Sequence, residues 1–190
     1  ILLAWQPGME GGASVADVLL GKVNPSGKLA TTFPMNYLDN PSSHNFPYDY
    51  SNTATASRNM YGRTPAPRKN VDYTLYEEGI YVGYRWFDTK GLEVSYPFGY
   101  GISYTTFEYS NPVIVPGKKE TTVSVEVKNT GAYAGKEVVQ LYVSAPKGAL
   151  DKPAQELKAF AKTAELQPGE SQVVTLVVKN EDLASFDEAQ

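Results

Sequence analysis

Cysteine is absent from the 190-residue sequence, and histidine occurs once. The absence of cysteine excludes disulfide bonds and thiolate metal sites. A lone histidine, His44, cannot build a metal site without carboxylate partners at suitable spacing. Ser42, Ser43 and Asp49 lie near it, but the members of a catalytic triad normally converge from separate parts of a fold. We therefore expect no metal centre, no cofactor and no triad in this chain.

The sequence also lacks the charge and hydropathy patterns of nucleic-acid and membrane proteins. Its formal net charge is -4, and no basic block is present that could neutralise a run of phosphates. No apolar run approaches the roughly 20 residues that cross a bilayer. Neither nucleic acid nor a membrane is therefore expected as a partner. The absence of cysteine fits both a cytosolic protein and an exported bacterial one, so composition leaves the compartment open.

Residues 1–35 have the pattern of a strand followed by a helix. Residues 1–5 are apolar and resemble a buried strand of a parallel sheet. Apolar residues then recur at helical spacing until Gly21, which predicts a short amphipathic helix. They are Ala13, Val15, Ala16, Val18, Leu19 and Leu20. Residues 24–27 predict a turn, and residues 29–33 predict a short extended segment. Because an apolar strand with an open edge needs a neighbour, we expect further residues upstream to complete this α/β fragment.

Glu10, Gly11 and Gly12 lie where that helix begins and allow two interpretations. Glu10 could be a general acid beside an anion-binding glycine pair. The spacing matches neither a P-loop nor a dinucleotide fingerprint, however. We favour a carboxylate stabilised by the helix N-terminus, beside glycines that allow close packing. Asp17, within the helix, is expected to be exposed or locally hydrogen-bonded rather than catalytic.

Residues 36–70 show no sustained period and contain the candidates for ligand binding. Aromatic faces beside hydrogen-bonding groups suit a pyranose ring, which is apolar on its face and hydroxylated around its edge. The candidate sugar contacts are Phe46, Tyr48, Tyr50, Arg58, Tyr61 and Arg63. A surface connector without a ligand is the alternative interpretation, and the sequence does not decide between the two.

Residues 76–107 crowd tyrosine, tryptophan and phenylalanine among regularly placed glycines. The stretch lies between α/β-like residues and residues with a β pattern. We interpret its aromatic residues, including Tyr84 and Phe98, as packing elements at a domain junction rather than as a sugar site.

From residue 120 onward, apolar and polar residues alternate, which predicts half-buried strands. The predicted strands cover residues 122–128, 139–144 and 174–179. Tight turns are predicted at residues 116–117, 129–131 and 168–169. Short strands at this interval indicate an all-β sandwich of immunoglobulin or fibronectin type III kind. The strand count falls short of a complete sandwich, so we expect residues 107–190 to lack its last strand or strands.

Several motifs resemble those of glycoside hydrolase family 3. One group is Trp5-Gln6-Pro7-Gly8-Met9-Glu10-Gly11-Gly12, Ala16-Asp17-Val18-Leu19, Asn24-Pro25-Ser26-Gly27-Lys28-Leu29 and Thr32-Phe33-Pro34. A second is Glu78-Gly79-Ile80-Tyr81-Val82-Gly83-Tyr84-Arg85 and Pro97-Phe98-Gly99-Tyr100-Gly101-Ile102-Ser103-Tyr104. A third is Gly135-Lys136-Glu137-Val138-Val139-Gln140-Leu141-Tyr142 and Glu156-Leu157-Lys158-Ala159-Phe160. The resemblance implies the end of an α/β sandwich domain at residues 1–35, a connector at 36–106 and a fibronectin type III-like domain at 107–190.

The resemblance also implies an activity. The sequence resembles bacterial β-glucosidase-like members, which implies a retaining, exo-acting enzyme that hydrolyses terminal non-reducing β-D-glucosyl residues. Their nucleophilic aspartate belongs to a barrel-like first domain, and their acid/base glutamate precedes the motif that begins at Trp5. This implies no catalytic residue within the present segment, which would need the barrel-like and α/β domains of the same enzyme as partners.

The substrate implied by the resemblance is an oligosaccharide or a β-glucoside. A periplasmic or extracellular location in a bacterium is expected, and a homodimer is compatible with the resemblance. The alternative function is that of a non-catalytic carbohydrate-binding or structural β-sandwich module.

Overall fold

The computed structural model describes residues 1–44, 76–148 and 150–187. These residues divide into two compact units. The first unit comprises Ile1–Ala30, Gly99–Ser144 and the chain from Glu156 onward. The second comprises the described parts of Thr31–Phe98 and Ala145–Gln155. Within the described ranges, no helix is both long and apolar enough to cross a membrane.

The first unit begins with the predicted helix, α1, which spans Gly11–Leu19. Gly21 follows it with a φ of 73°, in the left-handed region that glycine adopts without a steric penalty. The Gly21 N–H donates to the carbonyl of Val18 at 3.0 Å and closes the last turn. The predicted helix and its glycine stop are therefore confirmed.

The predicted strand at residues 1–5 is wrong. These residues have no strand geometry, and the side chains of Ile1 and Trp5 are exposed. A strand persists only when a neighbour satisfies its backbone groups, and the strand pairings of the described residues are all antiparallel and involve other segments. Residues 1–5 have the apolar composition of a buried strand, but no strand of the described residues pairs with them.

The rest of the first unit is a β-sandwich. Strands β3 (Phe107–Pro116), β4 (Glu120–Asn129) and β7 (Ser171–Lys179) form one antiparallel sheet in the order β3-β4-β7. Strands β5 (Val138–Val143) and β6 (Glu156–Lys162) form the second sheet. Asn180–Leu183 form a 3-10 helix after β7. The three predicted strands correspond to β4, β5 and β7 and are confirmed, while β3 and β6 were not predicted as strands.

The core of the first unit lies between these two sheets. Its buried members are Val127, Val139, Leu166, Val174 and Leu176, with Ala159 and Ala161 of β6 packed against them. Along β7 the burial alternates as the sequence predicts. Val174 and Leu176 are 4% and 5% exposed, whereas Val173 and Val177 face outward.

The second unit contains the short strands β1 (Phe33–Pro34) and β2 (Val94–Tyr96), which pair antiparallel. It also contains the helix α2 (Tyr84–Lys90) and two 3-10 helices, Tyr37–Asp39 and Pro41–His44. β1 covers only the end of the extended segment predicted at residues 29–33.

Helix α2 is held by aromatic packing. Phe87 is buried, and the indole N–H of Trp86 donates to the carbonyl of Asp39 at 3.0 Å. Tyr84 stacks on Phe98 with ring centroids 4.7 Å apart. The predicted packing role of these last two side chains is confirmed by this contact, while their place at a domain junction stays a prediction.

Residues 150–155, part of the connection from β5 to β6, belong to the second unit and contact α2 there. The Ala154 N–H donates to Oγ1 of Thr89 at 2.9 Å. The hydroxyl of Tyr81 hydrogen-bonds the Asp151 carboxylate, and this bond raises the pKa of Tyr81. The backbone of Ala154 and the side chain of Asp151 thus hold this connection in the second unit.

Candidate functional site

The six candidate sugar contacts all lie outside the described residues. These are Phe46, Tyr48, Tyr50, Arg58, Tyr61 and Arg63. Their assignment as a sugar site stays a prediction. The triad hypothesis around His44 also lies partly outside, because Asp49 is not described.

Ser43, a described member of the cluster around His44, has a structural role. Ser43 is buried, and its hydroxyl is directed at the carbonyl of Leu38, 3.5 Å away, within the pair of 3-10 helices. Across the described ranges, no three His, Asp or Glu side chains are grouped so as to hold a metal ion.

The carboxylates near α1 are exposed. Glu10 is the N-cap residue of the helix, but its side chain makes no capping hydrogen bond. Asp17 forms an exposed ion pair with Lys22 at 3.3 Å, as the prediction of a locally bonded side chain requires. Gly11 packs against Pro7 so closely that a Cβ would overlap it, whereas Gly12 faces open space. The close-packing interpretation is therefore right for Gly11 and wrong for Gly12.

Three of the sequence motifs converge on one polar site in the first unit. We define the polar joint as residues 24–29, 99–105 and 129–137. Its members join the turn after α1 to strands of the sandwich. The side chain of Asn24 reaches the carbonyl of Ala134, 110 residues along the chain, at 2.9 Å.

A shielded ion pair forms the charged part of the polar joint. Lys28 Nζ lies 2.9 Å from Glu137 Oε1, and the two side chains are only 18% and 11% exposed. The same ammonium donates to the carbonyl of Gly101 at 3.1 Å. The same carboxylate oxygen accepts from the Val138 N–H at 2.9 Å. Charged side chains that are largely shielded from water are tolerated when they are paired with an opposite charge and hydrogen-bonded. Lys28 and Glu137 meet both conditions.

Glu137 has a further neighbour in Tyr109, which is half-buried on β3. Burial raises the pKa of Tyr109 to about 12, and the negative charge of Glu137 and its hydrogen bond with the phenol act in the same direction. The phenol therefore stays protonated and available as a donor to the carboxylate.

Asn24 is the hydrogen-bonding centre of the turn after α1. Besides donating to Ala134, it accepts from the Ser103 hydroxyl and from the Tyr104 N–H, both at 2.8 Å. The hydroxyl of Tyr104 continues to α1, where it donates to the carbonyl of Val18 at 2.9 Å. The Asn24 side chain thus links the turn after α1 to residues 103–104 and to the sandwich.

Asn129, at the end of β4, is the equivalent centre inside the sandwich and is fully buried. Its amide nitrogen donates to the carbonyls of Tyr133 and Leu166, both at 2.8 Å. Its amide oxygen accepts from the Thr105 hydroxyl at 2.7 Å and from the Gly131 N–H at 3.1 Å. All four hydrogen-bonding positions of a buried amide are therefore used.

Two glycines of the polar joint are required by its close contacts. Gly99 has a φ of 78° and lies against the Gln140 side chain. A Cβ on Gly101 would overlap the backbone carbonyl of Gly27. These contacts give a physical reason for the glycine spacing in the motif at residues 97–104.

The polar joint has a structural role. Its buried donors and acceptors bind one another, and its one charged pair is internally neutralised. Asn24, Lys28 and Glu137 each lie in a motif of the sequence, but the motifs themselves do not pair them. No local signal could have done so, because the two charged residues lie on segments far apart in the chain.

Comparisons with known proteins bear on both halves of the chain. The family model described as "Glycosyl hydrolase family 3 C-terminal domain" matches residues 1–84. The model described as "Fibronectin type III-like domain" matches residues 137–190. Together the two matches cover well over half of the sequence.

Individual relatives agree with these matches. Beta-glucosidase A of Butyrivibrio fibrisolvens is 46% identical over 99% of this chain and 22% of its own length. The solved structure of beta-glucosidase 3B from Thermotoga neapolitana in complex with glucose is 49% identical, with a TM-score of 0.81 over 97% of this chain and 23% of that one. The GH3 beta-glucosidase of Bifidobacterium adolescentis is 37% identical, with a TM-score of 0.80.

The chain thus spans between a fifth and a quarter of the length of these relatives. The matched regions follow the same order in which the sequence motifs occur, with the C-terminal domain first and the fibronectin type III-like domain second. The chain therefore belongs to glycoside hydrolase family 3 and carries that family's C-terminal region.

Proposed function

We propose that this chain is the C-terminal part of a retaining, exo-acting β-glycosidase that hydrolyses terminal non-reducing β-D-glucosyl residues. The observation that carries the proposal is the likeness, at 49% identity, to a β-glucosidase whose structure was solved with glucose. The likeness extends over 97% of the chain, so it includes both units.

A retaining mechanism needs two carboxyl groups about 5 Å apart, one as nucleophile and one as acid/base. Glu137, the shielded carboxylate of the polar joint, is paired with Lys28 and accepts a hydrogen bond from a backbone N–H. Asp17 is likewise paired, and Glu10 is exposed to solvent. We propose that the nucleophilic aspartate and the acid/base glutamate belong to preceding barrel-like and α/β domains of a longer polypeptide.

Within that enzyme, the present chain would have two roles. The polar joint and the sandwich supply a rigid support. The six residues Phe46, Tyr48, Tyr50, Arg58, Tyr61 and Arg63 are proposed to contact the β-glucoside or oligosaccharide at the rim of the active site. A periplasmic or extracellular location in a bacterium and assembly as a homodimer are part of the same proposal.

The reaction class is tested by the stereochemistry of hydrolysis. A longer polypeptide that carries this chain and the preceding domains should release glucose from an aryl β-glucoside with the β configuration formed first. Proton NMR of the anomeric signals during the first turnovers measures this directly. Initial release of the α anomer would contradict the retaining mechanism, and absence of hydrolysis of all β-glucosides would contradict the proposed function.

The rim assignment is tested by substitution in the same longer polypeptide. Replacing Tyr48, Tyr50 and Tyr61 together by alanine should raise KM for an oligosaccharide substrate, because stacking surface for the sugar is removed. Tyr133→Ala, an exposed tyrosine of the sandwich, is the matched control and should leave KM unchanged. Unchanged kinetics in the triple variant would remove the rim assignment without affecting the proposed reaction.

The alternative of a carbohydrate-binding module has a simple test. Calorimetric titration of the 190-residue chain with glucose and with cellobiose should show no binding if the sugar site needs the preceding domains. Clear affinity in isolation would favour the binding module.

A further inference from the structure

We propose that two copies of this protein associate through the outer face of the sheet β3-β4-β7. We call this surface the valine face, and it consists of the outward β-branched side chains in the middle of the three strands. Its members are Val113, Val115, Thr122, Val173, Thr175 and Val177. The inference rests on the proposed function only in that it assigns a surface to the homodimer proposed there.

The strand register puts these side chains on one face of the sheet. Thr122 of β4 is opposite Val115 of β3 on one side and Val177 of β7 on the other. Directly opposed residues of an antiparallel pair point to the same side. Leu176, the next residue along β7, packs in the core between the two sheets. Because successive residues of a strand alternate in direction, the row through Thr122 faces away from the core.

The valine face is more apolar than a solvated sheet face usually is. An antiparallel sheet with one face on the core normally presents polar side chains on the other face. Val113 and Val115 are instead 50% and 58% exposed in this chain, and Val173 and Val177 are 63% and 49% exposed. A contiguous group of exposed apolar side chains with polar residues around it marks an interaction surface.

The polar joint attaches to the other side of the sandwich. Gln140 of β5 donates to the Gly99 carbonyl at 3.2 Å, and Glu137, just before β5, pairs with Lys28. Gln140 follows the buried Val139, so its side chain lies on the outer face of the second sheet. Within the described ranges of the first unit, the segments that join α1 to the sandwich therefore leave the valine face uncovered.

Charged side chains of opposite net sign flank the valine face at its two ends. At the end near the β3–β4 turn, three lysines and two glutamates line one open depression: Lys118, Lys119, Glu120, Lys179 and Glu181. At the other end, Glu108 is opposite Lys128, and Glu126 lies on the same face of β4. One end thus has a positive charge in excess, and the other end has a negative charge in excess.

This arrangement makes the valine face complementary to itself. If two copies stack with their strands nearly antiparallel, a two-fold axis puts the lysine-rich end of one copy on the glutamate-rich end of the other. The valines then meet at the centre, as the inner faces of two sheets do in a sandwich. Complementary charges steer the encounter and fix its register. A second copy of the chain therefore fits this surface in both its apolar centre and its charged ends.

Sedimentation equilibrium of the longer polypeptide that carries this chain tests the proposal. It should be a dimer whose dissociation constant rises with salt, because salt screens the charges at the two ends. Val177→Lys should raise that constant by about tenfold or more, because it puts a charge against the valines of the second copy. The matched control is Phe160→Lys, at a residue opposite Gln140 that is 70% exposed, and it should leave the constant unchanged.

A set of charge reversals tests the orientation of the two copies. Lys118→Glu combined with Lys119→Glu should weaken the dimer several-fold, because both ends of the valine face are then negative. Adding Glu108→Lys should recover part of the loss, because the two ends then have exchanged signs. All three positions are exposed, so this set keeps the test valid if Val177→Lys does not fold.

Hydrolysis of an aryl β-glucoside is measured in the same samples. A monomer at every concentration would overturn the proposal, and so would a dimer that Phe160→Lys dissociates and Val177→Lys does not. If that monomer hydrolyses the substrate, the valine face is wrong and the reaction class stands. An inactive dimer that Val177→Lys dissociates would instead support the valine face and contradict the proposed reaction.

Discussion

Strand β7 and helix α1 belong to the same unit and have equally regular apolar patterns, but they are stabilised in different ways. Leu176 of β7 is 5% exposed and packs in the core between the two sheets. Leu20, directly after α1, is 71% exposed. A regular apolar pattern therefore identifies the element but not the surface that covers it.

The two elements differ in the kind of contact that connects them to the rest of the unit. β7 has backbone partners along its whole length in β4 and apolar partners beneath it. In α1, Gly11 is the fully buried residue, and the helix and the turn after it are connected to the sandwich by hydrogen bonds and one shielded ion pair. Substitutions in the two regions should therefore differ in size and in kind.

The largest expected effect separates the two leucines. Leu176→Ala should lower the free energy of unfolding by about 2–5 kcal/mol, because it leaves a cavity in the core. Leu20→Ala should change it by less than about 0.5 kcal/mol, because little apolar surface is uncovered. Urea unfolding followed by circular dichroism measures both. Equal effects of the two substitutions would show that α1 buries an apolar face that the structure leaves open.

A pair of glycines gives the next contrast. Gly101→Ala should lower stability by about 1–3 kcal/mol, since the new methyl group overlaps the carbonyl of Gly27. Gly12→Ala, in the first turn of α1 with open space around it, should raise stability by up to about 1 kcal/mol. The melting temperatures should therefore move in opposite directions. A stabilising Gly101→Ala would contradict the close packing of the polar joint.

The smallest expected effect is a pH dependence. The pKa of Tyr109 is raised in the folded chain from 10.0 to about 12, so the folded state binds this proton more tightly than the unfolded state. Stability from this group is complete below pH 10 and is lost as the pH rises toward 12. Half-exposure of the phenol keeps the change small.

Tyr109→Phe removes this dependence and should flatten the decline of the melting temperature over that pH range. Tyr133→Phe, at an exposed position, is the control. An unchanged alkaline decline in Tyr109→Phe would show that the phenol does not interact with Glu137 as described.

The sandwich could be predicted from the sequence where alternation was unbroken. β4 alternates strictly because one face meets the core. β7 was also predicted, from Val174, Leu176 and Val178, although Val173 and Val177 add apolar residues to its outer face. β3 was not predicted, because Asn111, with a φ of 51°, and the following Pro112 interrupt its period. The register of β3 with β4 shifts at this point, and the proline is accommodated on an edge strand.

The remaining features depend on contacts that a linear reading does not contain. The apolar run at residues 1–5 has strand composition, but a strand also needs a partner, and composition does not supply one. Lys28 and Glu137 have no distinguishing local pattern, so only the fold brings them together. The motif resemblance included residues 24–29, 99–104 and 135–137 of the polar joint, and the structure added which atoms join them.

The measurement that tests the central claim most directly is a hydrolysis assay of the 190-residue chain beside a longer polypeptide that adds the preceding domains. Both would be given an aryl β-glucoside at equal molar concentration. We expect turnover by the longer polypeptide and none above background by the 190-residue chain, because the proposed catalytic carboxylates are not part of it. Turnover by the 190-residue chain at a comparable rate would contradict the claim that this region supports an active site built elsewhere.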